Sequence, residues 1–306
     1  MTMQYPTPHG DKLKALLENE KLPRSDRTRV EDAINRYAIW LADIETVAQT
    51  GGSCIEPLLQ LLDSYKLSID LDLVFDSPND FLYRQKGQLK IDNTVLEEFL
   101  PRLVGTAFSE RLLELGLILG PANAFSQLRF DSNLLGETPG AGMALRSKDH
   151  DFSMARPLFL KASHHEDFSE FREAKTHLAY LAAEIKTNLD KTMFQEASGT
   201  AYDLKLALPN SQYFLLCEWL DMTPISAAVT AIEEVIVLRK ARRFPANIRR
   251  QFSTAAGRTE SREEFQRHLR DHPFSADSFG RFLSHVESLL GKDDENERDV
   301  LDRGWF

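Results

Sequence analysis

The chain has 306 residues and a formal net charge of −10; 42% of its residues are hydrophobic and 27% are charged. This composition is typical of a globular protein whose core folds without disulfides or structural metals. No apolar run reaches the roughly 18 residues of a membrane helix, and the first residues lack the apolar segment of a secretory signal. Two cysteines, Cys54 and Cys217, exclude a disulfide framework or a zinc finger. We therefore expect a reducing, cytoplasmic location.

The first hundred residues are predicted to be helical. Apolar residues recur at three- and four-residue steps over residues 29–49, which predicts an amphipathic helix. Pro57 lies in the first turn of a second predicted helix, and Asn93 caps a third. A fourth helix is predicted over residues 108–119. We therefore expect residues 1–105 to form a helical N-terminal region.

The middle of the chain changes to apolar, strand-like segments. Strands are predicted at 124–130, 143–154, 156–163, 178–187, 212–220 and 234–241. A helix predicted over 192–208 separates two of these strands, and such a crossover implies parallel pairing. The predicted fold class is α/β (α+β), a mixed central sheet flanked by helices. The core is expected over 106–245 and a helical C-terminal extension over 246–306.

The triplet Glu184-Ile185-Lys186 carries the strongest chemical signal. On a strand, Glu184 and Lys186 share one face and Ile185 enters the core. A carboxylate beside an ammonium can hold a divalent metal and assist an attacking water, as phosphodiester hydrolysis requires. Two similar triplets, at 173–175 and 203–205, lie in stretches predicted to be helical. Taken alone, the triplet is also compatible with a surface ion pair at a strand end.

Further acids lie on both sides of this triplet. Asp149 and Asp151 share one face of the upstream strand, and one of them would complete an oxygen-rich metal site. An exposed strand face is the alternative interpretation of the two aspartates. Glu196, on the helix that follows, is a further candidate, although a solvated helix position is the favoured interpretation.

A longer block of sequence around the triplet resembles a known family. The stretch AAEIKTNLDKTMFQEA (182–197), with KDHDF (148–152) before it and YFLLCEWLDMTPIS (213–226) after it, is similar to type II restriction endonucleases. The superfamily is that of the PD-(D/E)xK nucleases, and the branch is the Bpu10I family, whose relatives cut sites of the CCTNAGC kind. The resemblance covers mainly 145–243, about a third of the chain. It implies a mixed sheet flanked by helices, magnesium dependence and cleavage of double-stranded DNA.

The resemblance also assigns the site. Glu184 and Lys186 match the Glu-x-Lys pair of the superfamily, and Asp151 is the expected upstream aspartate. Because no Pro-Asp precedes the motif, Asp149 stays open as the alternative. The expected ligands of Mg²⁺ are Asp151, Glu184 and the main-chain carbonyl of Ile185.

One basic segment is a candidate for contact with the DNA backbone despite the negative net charge. Residues 239–250 hold six basic residues and no acidic one, whereas residues 293–302 are strongly acidic. Phosphate contacts supply affinity through counterion release. The predicted main contacts are Arg239, Lys240, Arg242 and Arg243, and the weaker candidates are Arg249, Arg250, Arg258 and Arg262.

Cutting both strands of a duplex takes two active sites, or one site that acts twice. The sequence contains one such site and no internal repeat, so we expect two chains to meet on one DNA site. A homodimer is the favoured prediction, and the alternative is a heterodimer with a second subunit. Two other functions stay open. One is a repair or recombination nuclease with the same core, and the other is a DNA-binding subunit without its own activity.

Overall fold

A five-stranded mixed sheet flanked by helices forms the centre of the chain, as the predicted fold class requires. The computed structural model describes residues 4–49, 55–136, 138–291, 301, 302 and 304. Cys54 and most of the acidic segment 293–302 lie outside the described residues. Within the described residues, none of the helices combines the length and apolar character needed to cross a membrane.

The N-terminal third is helical, as predicted. Its helices are α1 (Pro8–Leu17), α2 (Arg27–Gln49), α3 (Ile55–Leu67), α4 (Asp80–Leu89) and α5 (Thr94–Glu114). The helix predicted over 108–119 is wrong in its second half, because α5 ends at Glu114. Gly116 has a φ of 62°, and the amide of Leu117 donates to the Leu112 carbonyl at 3.0 Å. This glycine C-cap stops the helix, so the following apolar residues begin a strand.

The strands follow the chain order across the sheet. They are β1 (Ile118–Phe130), β2 (Met143–Ala162), β3 (Arg172–Leu189), β4 (Gln212–Leu220) and β5 (Glu234–Arg242). The two segments predicted at 143–154 and 156–163 form one continuous strand, β2. The neighbouring pairs β1–β2 and β2–β3 are antiparallel, and the pairs β3–β4 and β4–β5 are parallel. The parallel pairing predicted across the crossover helix α6 (Lys191–Ala207) is confirmed.

The partner of β2 changes part-way along the strand. Residues 152–162 of β2 pair with β3, and the first of these pairs along β2 is Phe152 with Ala183. Before that point β2 pairs with β1 alone, for example His150 with Ala122. The two strands therefore part at residue 151, beside the carboxyl-terminal half of β3, and side chains of both strands can converge at this opening.

Helices cover both faces of the sheet because both faces are apolar. One face packs Ile185, Phe214 and their neighbours against α2, α3, α5 and the C-terminal helix α10 (Ala276–Leu290). The other face packs against α6. The remaining helices are α7 (Ala246–Gln251), α8 (Ala255–Glu260) and α9 (Arg262–Asp271). The expected boundary at 105 lies inside α5, and the one at 245 lies between β5 and α7.

Candidate active site

The Glu184-Ile185-Lys186 triplet lies near the carboxyl end of the central strand β3. Strand alternation puts Ile185, which is 1% exposed, into the core shared with the N-terminal helices. Glu184 and Lys186 share the other face and form an ion pair, with Lys186 Nζ 2.6 Å from Glu184 Oε1. Both side chains are partly exposed, so the pair can reach a substrate.

Asp151 comes to this pair from the neighbouring strand. Because β2 leaves β3 at this point, Ile185 has no partner in the β2 ladder, and its amide donates instead to Asp151 Oδ2 at 2.9 Å. The Asp151 carboxylate is therefore held beside the triplet. Burial raises the pKa of Asp151, against the lowering effects of the Ile185 amide and Lys90. The charge of a bound cation would favour the ionised form of this carboxylate.

Strand alternation alone would put Asp149 on the same face as Asp151, but its carboxylate contacts β1 instead. Its carboxylate is exposed and accepts a hydrogen bond at 2.8 Å from the side-chain amide of Asn123, on β1. In the described residues it has no contact with Glu184 or Lys186. The structure thus brings Asp151, and not Asp149, to the Glu-x-Lys pair.

Sequence reasoning missed Glu97, a buried carboxylate on α5. Its side chain is hydrogen-bonded to Asn93 at 2.8 Å. Burial, together with the negative charge of Asp151, raises the pKa of Glu97 to about 7. The Lys90 ammonium lies 3.9 Å from Asp151 Oδ1, and its positive charge partly offsets the negative charges of Asp151 and Glu97. The available signal was an acid inside the apolar run VLEEFL, where a helix buries its side chains.

Tyr213 was also missed, and it contacts Glu184 directly. Its hydroxyl donates to Glu184 Oε2 at 2.8 Å from a side chain that is 0% exposed. Burial and the charge of Glu184 raise the pKa of Tyr213, so the phenol stays protonated and is a permanent donor. The ring of His150 packs edge-on against Tyr213, and burial lowers the pKa of this histidine to about 4. The His150 ring that packs against Tyr213 is therefore neutral at neutral pH.

Lys186 is cationic in this setting. Burial lowers the pKa of Lys186, but the hydrogen bond and charge of Glu184 outweigh burial and raise it. Asp151 and Glu196 act in the same direction with smaller effects. Glu196 is exposed on α6 and affects the site through its charge. Lys186 can therefore stabilise negative charge or orient water, but it is not a free base.

The donor set fits a hard divalent cation. Two carboxylates, Asp151 and Glu184, flank the main chain of Ile185, whose carbonyl supplies a third oxygen donor. In the described part of the chain, no three acidic, histidine or cysteine side chains converge on one point. Mg²⁺ is usually held by one or two carboxylates together with substrate phosphates and water, so Asp151 and Glu184 could hold it without a third acidic side chain.

Arg239, predicted to contact DNA, is instead buried inside the protein. It is 5% exposed; its Nε donates to Glu218 Oε2 at 3.1 Å, and its guanidinium lies 3.7 Å from the centre of the Phe274 ring. Glu218 is also 2.9 Å from the buried Lys66 of α3. Arg239 lies where the pairing of β5 with β4 is irregular, and its side chain faces inward, so we remove this arginine from the DNA-contact set.

Of the other basic candidates, only Arg258 is buried, and the rest differ in the groups that they contact. Arg258 is 1% exposed and donates to main-chain carbonyls, so its role is structural. Arg262 is bound to Asp76, and Lys240 is bound to Asp277. Four other arginines lie at the end of β5 or just after it: Arg242 donates to the Met222 carbonyl, Arg243 and Arg249 contact Asp221, and Arg250 is exposed.

The comparisons with known proteins identify a family and a similar fold. The model of the Bpu10I restriction endonuclease family matches residues 88–306. This range contains all five strands together with Asp151, Glu184 and Lys186. A similar solved structure is described as "native BbvCI A2B2 tetramer at low resolution", with a TM-score of 0.52 and 18% sequence identity. The match covers 87% of this chain and 98% of that chain, and at this identity it supports the fold alone. No curated protein sequence is significantly similar.

Proposed function

The chain belongs to the Bpu10I restriction endonuclease family, and we propose that it is a type II enzyme of the PD-(D/E)xK superfamily. In this proposal it hydrolyses phosphodiesters of double-stranded DNA at a specific short site, of the CCTNAGC kind, and depends on Mg²⁺. One observation carries the proposal. The Asp151 carboxylate reaches across from β2 to the Ile185 amide, beside the Glu184–Lys186 pair.

The mechanism follows from these groups. Asp151, Glu184 and the Ile185 carbonyl would hold Mg²⁺, which supplies Lewis-acid polarisation of the scissile phosphate. Lys186 remains protonated and orients the attacking water, or offsets the charge that develops on the phosphorane-like transition state. Tyr213 keeps the Glu184 carboxylate in one orientation. The leaving group is the 3′ oxygen, which gives a 5′-phosphate.

DNA affinity in this proposal comes from the accessible cations beyond β5. Arg242 is the last residue of β5, and Arg243, Arg249 and Arg250 follow it. Because β3, β4 and β5 are parallel, Arg242 lies at the same edge of the sheet as the carboxyl end of β3, which carries Lys186. Their phosphate contacts release counterions, so binding falls steeply with salt. The net charge of −10 does not oppose this, because binding depends on where the charges lie.

Two copies of the site are needed to cut two strands, and we propose a homodimer. The alternative is an enzyme with two different subunits, since the structural neighbour is described as an A2B2 tetramer. Purified chain, incubated with supercoiled plasmid and Mg²⁺, distinguishes the two. Linear product supports the homodimer, whereas nicked circles alone, or no cut until a second polypeptide is added, supports two subunits.

The proposed chemistry is tested with Glu184→Ala and Lys186→Ala. We expect each variant to lose plasmid cleavage while keeping its melting temperature, because neither side chain fills the core. A matched control exists on the same strand, since Glu173 and Lys175 form an exposed triplet at the other end of β3. Glu173→Ala and Lys175→Ala should cleave at the wild-type rate. Wild-type cleavage by either site variant would falsify the assignment.

The choice of aspartate is tested by metal binding. We expect Asp151→Asn to remove the heat of Ca²⁺ or Mn²⁺ binding in isothermal titration, and Asp149→Asn to retain most of it. Only Asp151 is held at the Ile185 amide. Loss of the binding heat in Asp149→Asn alone would mean that the wrong aspartate has been chosen. Mapping the ends of a digested plasmid then separates cleavage at one defined sequence from structure-directed cleavage by a repair or recombination nuclease.

A further inference from the structure

A pocket opens at the carboxyl ends of β3, β4 and β5, directly beside the proposed active site. Its volume is about 530 Å³, including the part open to solvent. Thr187 and Asn188 line it, and they follow Lys186 on β3. Asn188 pairs with Trp219 of β4, a second lining residue. Asn188 comes two residues after Lys186, so strand alternation puts these two side chains on the same face of β3, about 7 Å apart along the strand.

Aromatic rings form much of the pocket wall. Tyr83, Phe244 and Phe265 are half-buried and come from α4, the segment after β5, and α9. Deeper in the wall, the ring of His268 stacks on Trp219, with 4.7 Å between ring centres. Flat aromatic faces around a recess match the face of a nucleobase, because bases stack on such rings without regard to sequence.

Cations and acids both line the pocket. The cations Lys86, Arg243 and Arg249 are partly exposed, and the acids are Asp70 and Asp92, of which Asp92 lies 4.0 Å from Lys86. The two guanidiniums converge on the Asp221 carboxylate, at 2.8 Å from Arg243 and 3.5 Å from Arg249. This convergence gives the spacing at which both arginines can engage the oxygens of one anion, and phosphate matches guanidinium geometry as carboxylate does.

Two polar side chains in the pocket are without partners. In the described part of the chain, neither the Thr187 hydroxyl nor the Asn188 amide makes a side-chain hydrogen bond. An asparagine amide offers a donor and an acceptor side by side, the pattern that recognises a base edge. Asn188 therefore presents an unused recognition group beside an aromatic wall.

We propose that this pocket receives one nucleotide of the bound DNA strand, turned out of the duplex next to the scissile phosphate. The base lies against the aromatic wall with its edge at Asn188, and its phosphate lies at Arg243 and Arg249. A base still stacked in the duplex cannot enter a recess, so entry requires extrusion. The inference rests on the proposed function, because only bound DNA brings a nucleotide to this edge of the sheet.

The test uses duplexes that carry the proven cleavage site, with 2-aminopurine placed in turn at each position flanking the cut. Ca²⁺ replaces Mg²⁺, so that the chain binds without cutting. We expect a several-fold rise in fluorescence at one position in each strand, as an extruded base loses its stacking. Asn188→Ala should remove most of this rise. Asn210→Ala, a change at an exposed asparagine outside the pocket, should leave it unchanged.

The outcomes separate this inference from the proposed function. If the chain cuts its site but no position responds, the extruded nucleotide is refuted and the nuclease stands. If a position responds equally in Asn188→Ala and Asn210→Ala, the assignment to this pocket is refuted. If no duplex is bound or cut under any condition, the proposed function fails, and this inference fails with it.

Discussion

The hydrogen bond from Tyr213 to Glu184 offers the sharpest test of how the site is organised. The Tyr213→Phe change removes one hydroxyl and keeps the ring that fills the core between β4 and α6. Glu184 Oε2 then loses its only described protein donor, while Oε1 keeps Lys186. The carboxylate becomes free to rotate, and its binding of a cation together with Asp151 is weakened.

The expected size of the effect follows from the charge of the acceptor. A hydrogen bond to an ionised group contributes about 1.5–3 kcal/mol. Loss of a partner that orients a metal ligand typically costs about 10–100-fold in metal affinity, which is about 1.4–2.7 kcal/mol at about 1.4 kcal/mol per tenfold. The two estimates agree. We therefore expect the Mg²⁺ concentration at half-maximal cleavage to rise about 10–100-fold.

The assay is plasmid cleavage over a Mg²⁺ series, with DNA affinity measured separately in the absence of divalent metal. Tyr213→Phe should shift the Mg²⁺ midpoint and leave metal-free DNA affinity unchanged, because the hydroxyl contacts Glu184 alone among the candidate groups. Tyr202→Phe is the matched control, since Tyr202 lies exposed on α6. A Mg²⁺ midpoint in Tyr213→Phe that stays within about twofold of the control would refute the positioning role, as it falls well short of the expected loss.

Other substitutions separate stability from binding. Ile185→Ala should lower the free energy of unfolding by about 2–5 kcal/mol in chemical denaturation, because it leaves a core cavity; a loss below about 1 kcal/mol would contradict its burial. Arg239→Ala should cost about 3–5 kcal/mol of stability, since it leaves the buried acid beside it less compensated, and a loss of DNA affinity without a loss of stability would restore it as a DNA contact. Arg250→Ala should instead weaken DNA binding and reduce the salt slope by about one, with stability within about 0.5 kcal/mol of wild type. Burial lowers the pKa of His9 to about 3. Below about pH 6.5 the histidine is therefore protonated in the unfolded state but still neutral in the folded state. The free energy of unfolding then falls by up to about 1.4 kcal/mol for each pH unit of acidification. His9→Gln should remove that share of the slope between about pH 6 and pH 4, and an unchanged slope would mean that the histidine is charged in the folded protein.

Local patterns in the sequence were sufficient for most of the elements. Strand β3 is predicted because an apolar run precedes the Glu184 triplet, and strand alternation alone assigns Ile185 to the core and its neighbours to the opposite face. The crossover through α6 likewise implies the parallel pairing of β3 with β4. These inferences succeed because side-chain periodicity and chain connectivity are properties of consecutive residues.

The resemblance favoured Asp151 over Asp149, and the structure gives a physical reason for a difference between the two aspartates. Both aspartates lie on one face of an ideal strand. The difference between them comes from the end of the β2–β3 ladder at Phe152 and Ala183, which frees the Ile185 amide for one carboxylate and leaves the other beside β1. The register between strands depends on contacts between residues far apart in the chain, so the spacing of the aspartates could not reveal it.

Burial of charged residues was decided in the same way. Within the run RKARRF, Arg239 is buried against Glu218 and Asp63 at the point where the register of β5 with β4 shifts, whereas Arg242 stays exposed. Glu97 lies beside Asp151 only because α5 packs against the sheet. The sequence determined which groups could perform the chemistry. Tertiary packing decided which of them meet, because the position of a charge in space depends on long-range contacts that a local pattern does not contain.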